Sequence, residues 1–90
     1  MHDESLSMAV TQHLFNDDDM YRRHFIPCQQ YMRRNPNNTT RVMELVDNVC
    51  MKFSKANKMP YASITPEVKK QVAINVYQEM IDDEADRSRR

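Results

Sequence analysis

The sequence predicts an all-α protein, a small helical bundle of three main helices plus an N-terminal helical segment. Three observations carry that expectation. The 90 residues include no glycine, where roughly 7% is usual, and glycine supplies the positive φ of tight hairpin turns and the close backbone approach of phosphate-cradling loops. Apolar residues recur at three- and four-residue steps over two long segments, which is the helical period. Clusters of Asn, Pro and Ser separate those segments and mark the connections. A chain of this length buries only about 60–65% of its unfolded surface, so residues 1–90 are expected to form one domain, with frayed ends at 1–4 and 85–90.

From the N-terminus, Ser5 to Phe15 sets Leu6, Val10 and Leu14 on one face of a first helical segment. Asn16 or Asp17 then offers a side-chain oxygen to cap a helix beginning near Asp18. Pro27 falls inside that helix. A proline there removes one hydrogen bond and its ring meets the preceding turn, so a break or kink is expected at Phe25 to Pro27. Asn35-Pro36-Asn37 ends the segment, and Asn38, Thr39 or Thr40 caps the next helix.

That helix runs from Thr40 to about Ala56, with Val42, Leu45, Val46, Val49 and Phe53 along one stripe. Asn57 to Ser63, with Pro60, is the last connector. The final helix opens at Ile64-Thr65-Pro66-Glu67: Thr65 caps, Pro66 sits where its missing N–H is harmless, and Glu67 favours the positive helix end. It extends to Asp83 or beyond. Val68, Val72, Val76 and Met80 form its core stripe with Ala73 and Tyr77 beside it, and Ile74 and Ile81 widen the apolar surface enough to meet partners on two sides.

Composition removes several function classes. With 29% charged residues and a mean hydropathy of −0.83, no stretch is long and apolar enough for a bilayer span or a signal peptide. A cytoplasmic protein is expected, with no membrane partner and with Cys28 and Cys50 as reduced thiols. Charge is unevenly spread beneath a net value of zero: residues 1–19 carry −5, residues 20–58 carry +6 and residues 59–90 carry −1. The basic middle has two readings, a surface for an acidic partner or for phosphates, and a solvated face whose arginines pair internally with Asp17 to Asp19.

Candidate chemical sites are weak. Glu79, Asp82, Asp83 and Asp86 have the i,i+3 and i,i+4 spacing that lets carboxylates share a cation, but Asp83 with Arg87 and Asp86 with Arg90 make ordinary acid-before-base helix pairs. His24 and Cys28 offer two soft ligands where structural zinc needs four, and only His13 and Cys50 are left to complete the set. Neither His13 near Asp17 nor Cys28 near His24 comes with a third catalytic group or an anion-stabilising loop. No catalytic residue, metal site or cofactor is therefore expected, and an enzyme is not.

The eight methionines suit irregular cores and adaptable binding surfaces alike. Met43, Met51 and Met80 lie on or beside apolar helix faces and read as core. Met20, Met32 and Met59, with Tyr21, Tyr31 and Tyr61, read as part of a contact surface. The expectation is thus a non-enzymatic regulator, adaptor or inhibitor that docks on a larger protein, with an acidic surface on that partner. A phage or mobile-element accessory protein would have this character. The docking residues would be Met20, Tyr21, Arg22, Arg23, Tyr31, Met32, Arg33 and Arg34, with nearby Lys52, Lys55 and Lys58. The alternative is a small nucleic-acid-binding factor using the basic segment 22–58. A homodimer is a third arrangement, because two apolar faces on a small core leave surface to cover.

Overall fold

The computed structural model describes the backbone of residues 2–88 and the side chains of residues 4–83; the expected frayed ends fall largely outside the described side chains. The protein is a bundle of four helices, with no strand among the described residues. Helix α1 is His2–Asn16, α3 is Thr40–Ala56 and α4 is Pro66–Ser88. Helix α2 covers residues 18–34 in three continuous pieces, Asp18–Met20, Tyr21–Phe25 and Ile26–Arg34. The N-terminal segment is therefore a full helix, packed against α4 and also touching α2 and α3.

The middle piece of α2 is π-helical. The Ile26 N–H donates to the Tyr21 carbonyl, five residues back instead of four. Pro27 explains it: in a regular α-helix its ring would press on the carbonyl four residues earlier, and a wider turn ahead of it moves that carbonyl aside while φ and ψ stay helical. Of the expected break or kink at Phe25 to Pro27, the break does not occur: the helix runs on through the widened turn at Tyr21–Phe25. The wider turn also changes which residues share a face, because positions five apart now stack. Met20 and Phe25 are both fully buried as a result.

The helix ends follow local chemistry. Asp17 accepts from the N–H groups of Asp19 and Met20 at 3.0 and 3.2 Å, and chiefly the Met20 N–H holds its carboxyl below the ordinary 3.8. Thr39 is the N-cap of α3 but makes no side-chain cap bond; Asn38, one residue earlier, supplies the oxygen, its Oδ1 accepting from the Thr40 N–H at 3.2 Å. Thr65 does the same for α4, accepting from the Val68 N–H at 3.3 Å, with Pro66 as the first helical residue.

One core fills the bundle. Val10 and Leu14 from α1, Met20, Phe25 and Met32 from α2, the Val42 to Cys50 stripe of α3 and the Val68 to Met80 stripe of α4 all meet there. Each fully buried Val, Leu, Phe or Met contributes about 1.5–3 kcal/mol relative to exposure. Phe15 packs edge-on against Phe25 at 5.0 Å, and Tyr21 stacks on Phe25 at 5.2 Å. Polar ties fix the helices in register: Asn75 Nδ2 donates to Thr11 Oγ1 at 3.2 Å, and buried Gln29 donates to Asp83 at 2.8 Å.

The connector between α3 and α4 is tied down by Lys69, whose Nζ donates to the Tyr61 hydroxyl at 2.7 Å and lies 3.6 Å from Asp47. The Tyr61 hydrogen bond, above all, raises the Lys69 pKa. At the start of this connector Lys58 takes φ 53°, a left-handed position that glycine would ordinarily fill.

Candidate docking grooves

Two grooves run along opposite edges of α3. The first lies between α2 and α3 and consists of two adjoining cavities of about 200 and 140 Å³, both lined by His24 and Asn48. Arg23 and Arg41 line one; Lys52, Lys55 and Met51 line the other. On α3, positions 41, 44, 48, 52 and 55 follow the helical repeat and so share one face. The Arg41 guanidinium lies over the Tyr31 ring at 5.0 Å, and Tyr31 is itself held by Asn38 Nδ2 at 2.8 Å. Cys28 sits in the wall, where burial pushes its thiol up against the opposing pull of Arg41.

The second groove, of about 260 Å³, lies between α3 and α4. Val42 and Met43 form one wall, Ala73, Ile74 and Tyr77 the other, and Lys70 stands within it. Met43 is 41% exposed and Ile74 51%. Ile81, also exposed, continues the same face of α4 two turns on. Tyr77 is anchored by donating to the Pro36 carbonyl at 3.3 Å.

The expected docking residues divide sharply in this fold. Met20 and Met32 are 0% and 7% exposed and belong to the core, which corrects their assignment to the surface; the π turn rotates Met20 inward, and Met32 follows one α-helical face from Phe25 and Cys28. Tyr21 is half-buried against Phe25 and Phe15. Conversely, Met43 and Met51, expected in the core, are exposed.

Of the cations, Arg22 pairs with Asp18 at 3.0 Å and Arg23 with Asp19 at 2.9 Å, while Lys52 reaches Asp19 at 3.4 Å. Internal pairing therefore accounts for part of the basic segment. Such exposed pairs are worth at most about 1 kcal/mol, so they hold these side chains only weakly. Arg33 and Arg34 stand exposed at the far end of α2. Lys55 and Lys58 are exposed and make no ion pair among the described residues. The fold thus gathers Arg23, Lys52 and Lys55 along one groove, with Tyr31 beside Arg41 but outside the lining, and leaves Arg22, Arg33, Arg34 and Lys58 away from that lining. His24, Arg41, Asn48 and Met51 join it, and only the packing of α2 on α3 reveals them.

The weaker sites resolve into ordinary contacts. His13 packs edge-on against Phe53 at 5.8 Å, with Nε2 4.0 Å from Asp17. Asp82 accepts from Gln78 at 3.1 Å and Asp83 from Gln29. The Asp83–Arg87 and Asp86–Arg90 pairs involve side chains outside the described residues. No group of three or more His, Cys, Asp or Glu among the described residues is arranged to hold a metal ion. Cys28 and Cys50 are both free and buried. No described helix is long and apolar enough to cross a membrane. No protein-family model, curated protein or solved structure matches the chain.

Proposed function

We propose that this chain is a non-enzymatic docking protein of the cytoplasm, a regulator, adaptor or inhibitor that seats on a larger protein through side chains on its helix faces. The observation that carries the reading is the open apolar groove between α3 and α4, where Met43 and Ile74 remain exposed directly above a closed core. Removing such surface from water favours association by roughly 25 cal/mol per Å², against the lost freedom and polar desolvation that binding costs. A groove between two helices accepts a third amphipathic helix through anchors at i, i+3 or i+4, and i+7. Met43 adds an unbranched thioether that adapts to the shape of the occupant.

The test is affinity capture from nuclease-treated native lysate of the relevant host, comparing the wild-type chain with Met43→Glu/Ile74→Glu. Both positions are exposed, so the variant is expected to melt at the wild-type temperature. A protein retained by the wild type and lost from the variant supports the reading. Equal capture by both, or enrichment of nothing, refutes it. The cations along α2 and α3 support the alternative of a nucleic-acid-binding factor; it requires binding to a mixed DNA or RNA pool at low salt, weakening steeply as salt rises.

A further inference from the structure

We infer that the groove between α2 and α3 binds an acidic peptide segment of a protein partner. Arg23, Arg41, Lys52 and Lys55 line its two cavities, opposed by Glu44 in the lining and by Asp19 alongside. Four cations against two carboxylates leave an excess of two positive charges. Two of the four are committed to no carboxylate among the described residues: Arg41, which is held over Tyr31, and Lys55.

The layout reads as a recognition pattern. Arg41 and Lys55 stand at opposite ends of the groove, about 21 Å apart along α3 at 1.5 Å per residue. That is the span of roughly six or seven residues of extended peptide. The Tyr31 ring, 5.0 Å from the Arg41 guanidinium carbon, holds that cation at this end of the groove before a carboxylate arrives. Between the two ends Asn48 offers an amide to a peptide group, and Met51, 47% exposed, offers an apolar contact. The matching segment carries a carboxylate near each end and an apolar side chain between them.

A nucleic-acid strand fits the same groove less well. Its phosphates recur at every nucleotide and would be driven against Glu44 and Asp19. Two excess charges also release few counterions, and counterion release supplies most of the affinity in such complexes. An acidic peptide avoids both penalties because its carboxylates can be spaced to miss Glu44 and Asp19. This inference concerns a different edge of α3 from the apolar groove, and the two are tested separately.

The probe is a fluorescent peptide of about eight residues built from Glu and Leu, sized to the groove. Its Gln-for-Glu counterpart and a labelled single-stranded oligothymidine are measured beside it by anisotropy at low and moderate salt. The Glu peptide is expected to bind, with the Gln peptide at least about tenfold weaker. Arg41→Glu/Lys55→Glu should weaken the Glu peptide by a similar factor, while Lys70→Glu, in the other groove, leaves it unchanged. Met43→Glu/Ile74→Glu should also leave it unchanged, which separates this result from the fate of the apolar groove. No binding of the Glu peptide, equal binding of the Gln peptide, tighter binding of the oligothymidine, or equal loss on Lys70→Glu overturns the inference.

Discussion

Replacing Met20 by Ala tests the π turn more directly than any change within the turn itself. On an uninterrupted α-helix, residues 20 and 25 lie about 140° apart, so a buried Phe25 would leave Met20 facing solvent. In the structure both are buried, at 0% and 1% exposure. Truncating a buried Met to Ala costs about 2–5 kcal/mol, a large share of the roughly 5–15 kcal/mol that holds a small domain folded. A loss of about 3 kcal/mol lowers the melting temperature of a domain this size by roughly 12–24 °C. Urea unfolding followed by far-ultraviolet circular dichroism measures the loss directly, with Met51→Ala as the control. Met51 is exposed and its truncation should stay within about 0.5 kcal/mol of wild type. A Met20→Ala cost below about 0.5 kcal/mol, indistinguishable from the control, would refute the wide turn and the burial it produces.

Two further outcomes are expected. Burial pushes the Cys50 thiol up to about 11 from its ordinary 9.0, so between those values the unfolded chain loses a proton that the folded chain keeps. The unfolded state then binds fewer protons, and stability should fall as pH rises through that window. Cys50→Ala should flatten the fall in denaturant titrations across the alkaline range; an unchanged slope would show that the thiol does not titrate this way. Lys58→Gly should raise the urea midpoint, because the left-handed conformation costs a non-glycine residue about 1–2 kcal/mol and the added freedom of unfolded glycine returns only about 0.5–1. A lowered midpoint would mean that the Lys58 side chain contributes more than its backbone strain removes.

Helix boundaries were legible wherever one side chain decides them. Asn38 and Thr65 act on backbone groups two or three residues away, Pro66 acts through its own missing N–H at the first helical position, and their roles can be read without knowing the fold. The apolar stripes of α3 and α4 were legible for the same reason: an unbroken period needs no tertiary information. The phase of α2 was not legible. Proline inside a helix announces a conflict without saying whether the backbone breaks, kinks or widens, and each outcome puts Met20 on a different side. The misplacing of Met20 follows from that ambiguity, whereas Met32 lies on the regular helical face of Phe25 and Cys28.

The two grooves flanking α3 were hidden for another reason. Arg23 and His24 meet Arg41 and Asn48 only because α2 packs on α3, and no spacing along the chain encodes which helix lies beside which. Methionine compounds the difficulty because its flexible thioether suits either environment. Met43 and Met51 looked like core beside strong apolar stripes, yet both lie at the open edges of those stripes. The basic character of residues 20–58 was visible at once, but the division between cations tied to Asp18 and Asp19 and those facing the groove belongs to the tertiary structure.

Helix α3 is the shared wall of both grooves, and that arrangement bears on avidity. Two segments lying along its opposite edges would be separated by little more than one helix diameter, about 10–12 Å with side chains. A partner presenting an apolar helix and an acidic stretch on one chain would engage them as a bivalent ligand, the first contact raising the local concentration of the second to the millimolar range for a short linker. Either groove alone needs only modest affinity for the pair to hold tightly, and loss of either contact would weaken the complex by the ratio of that local concentration to the lost contact's own dissociation constant.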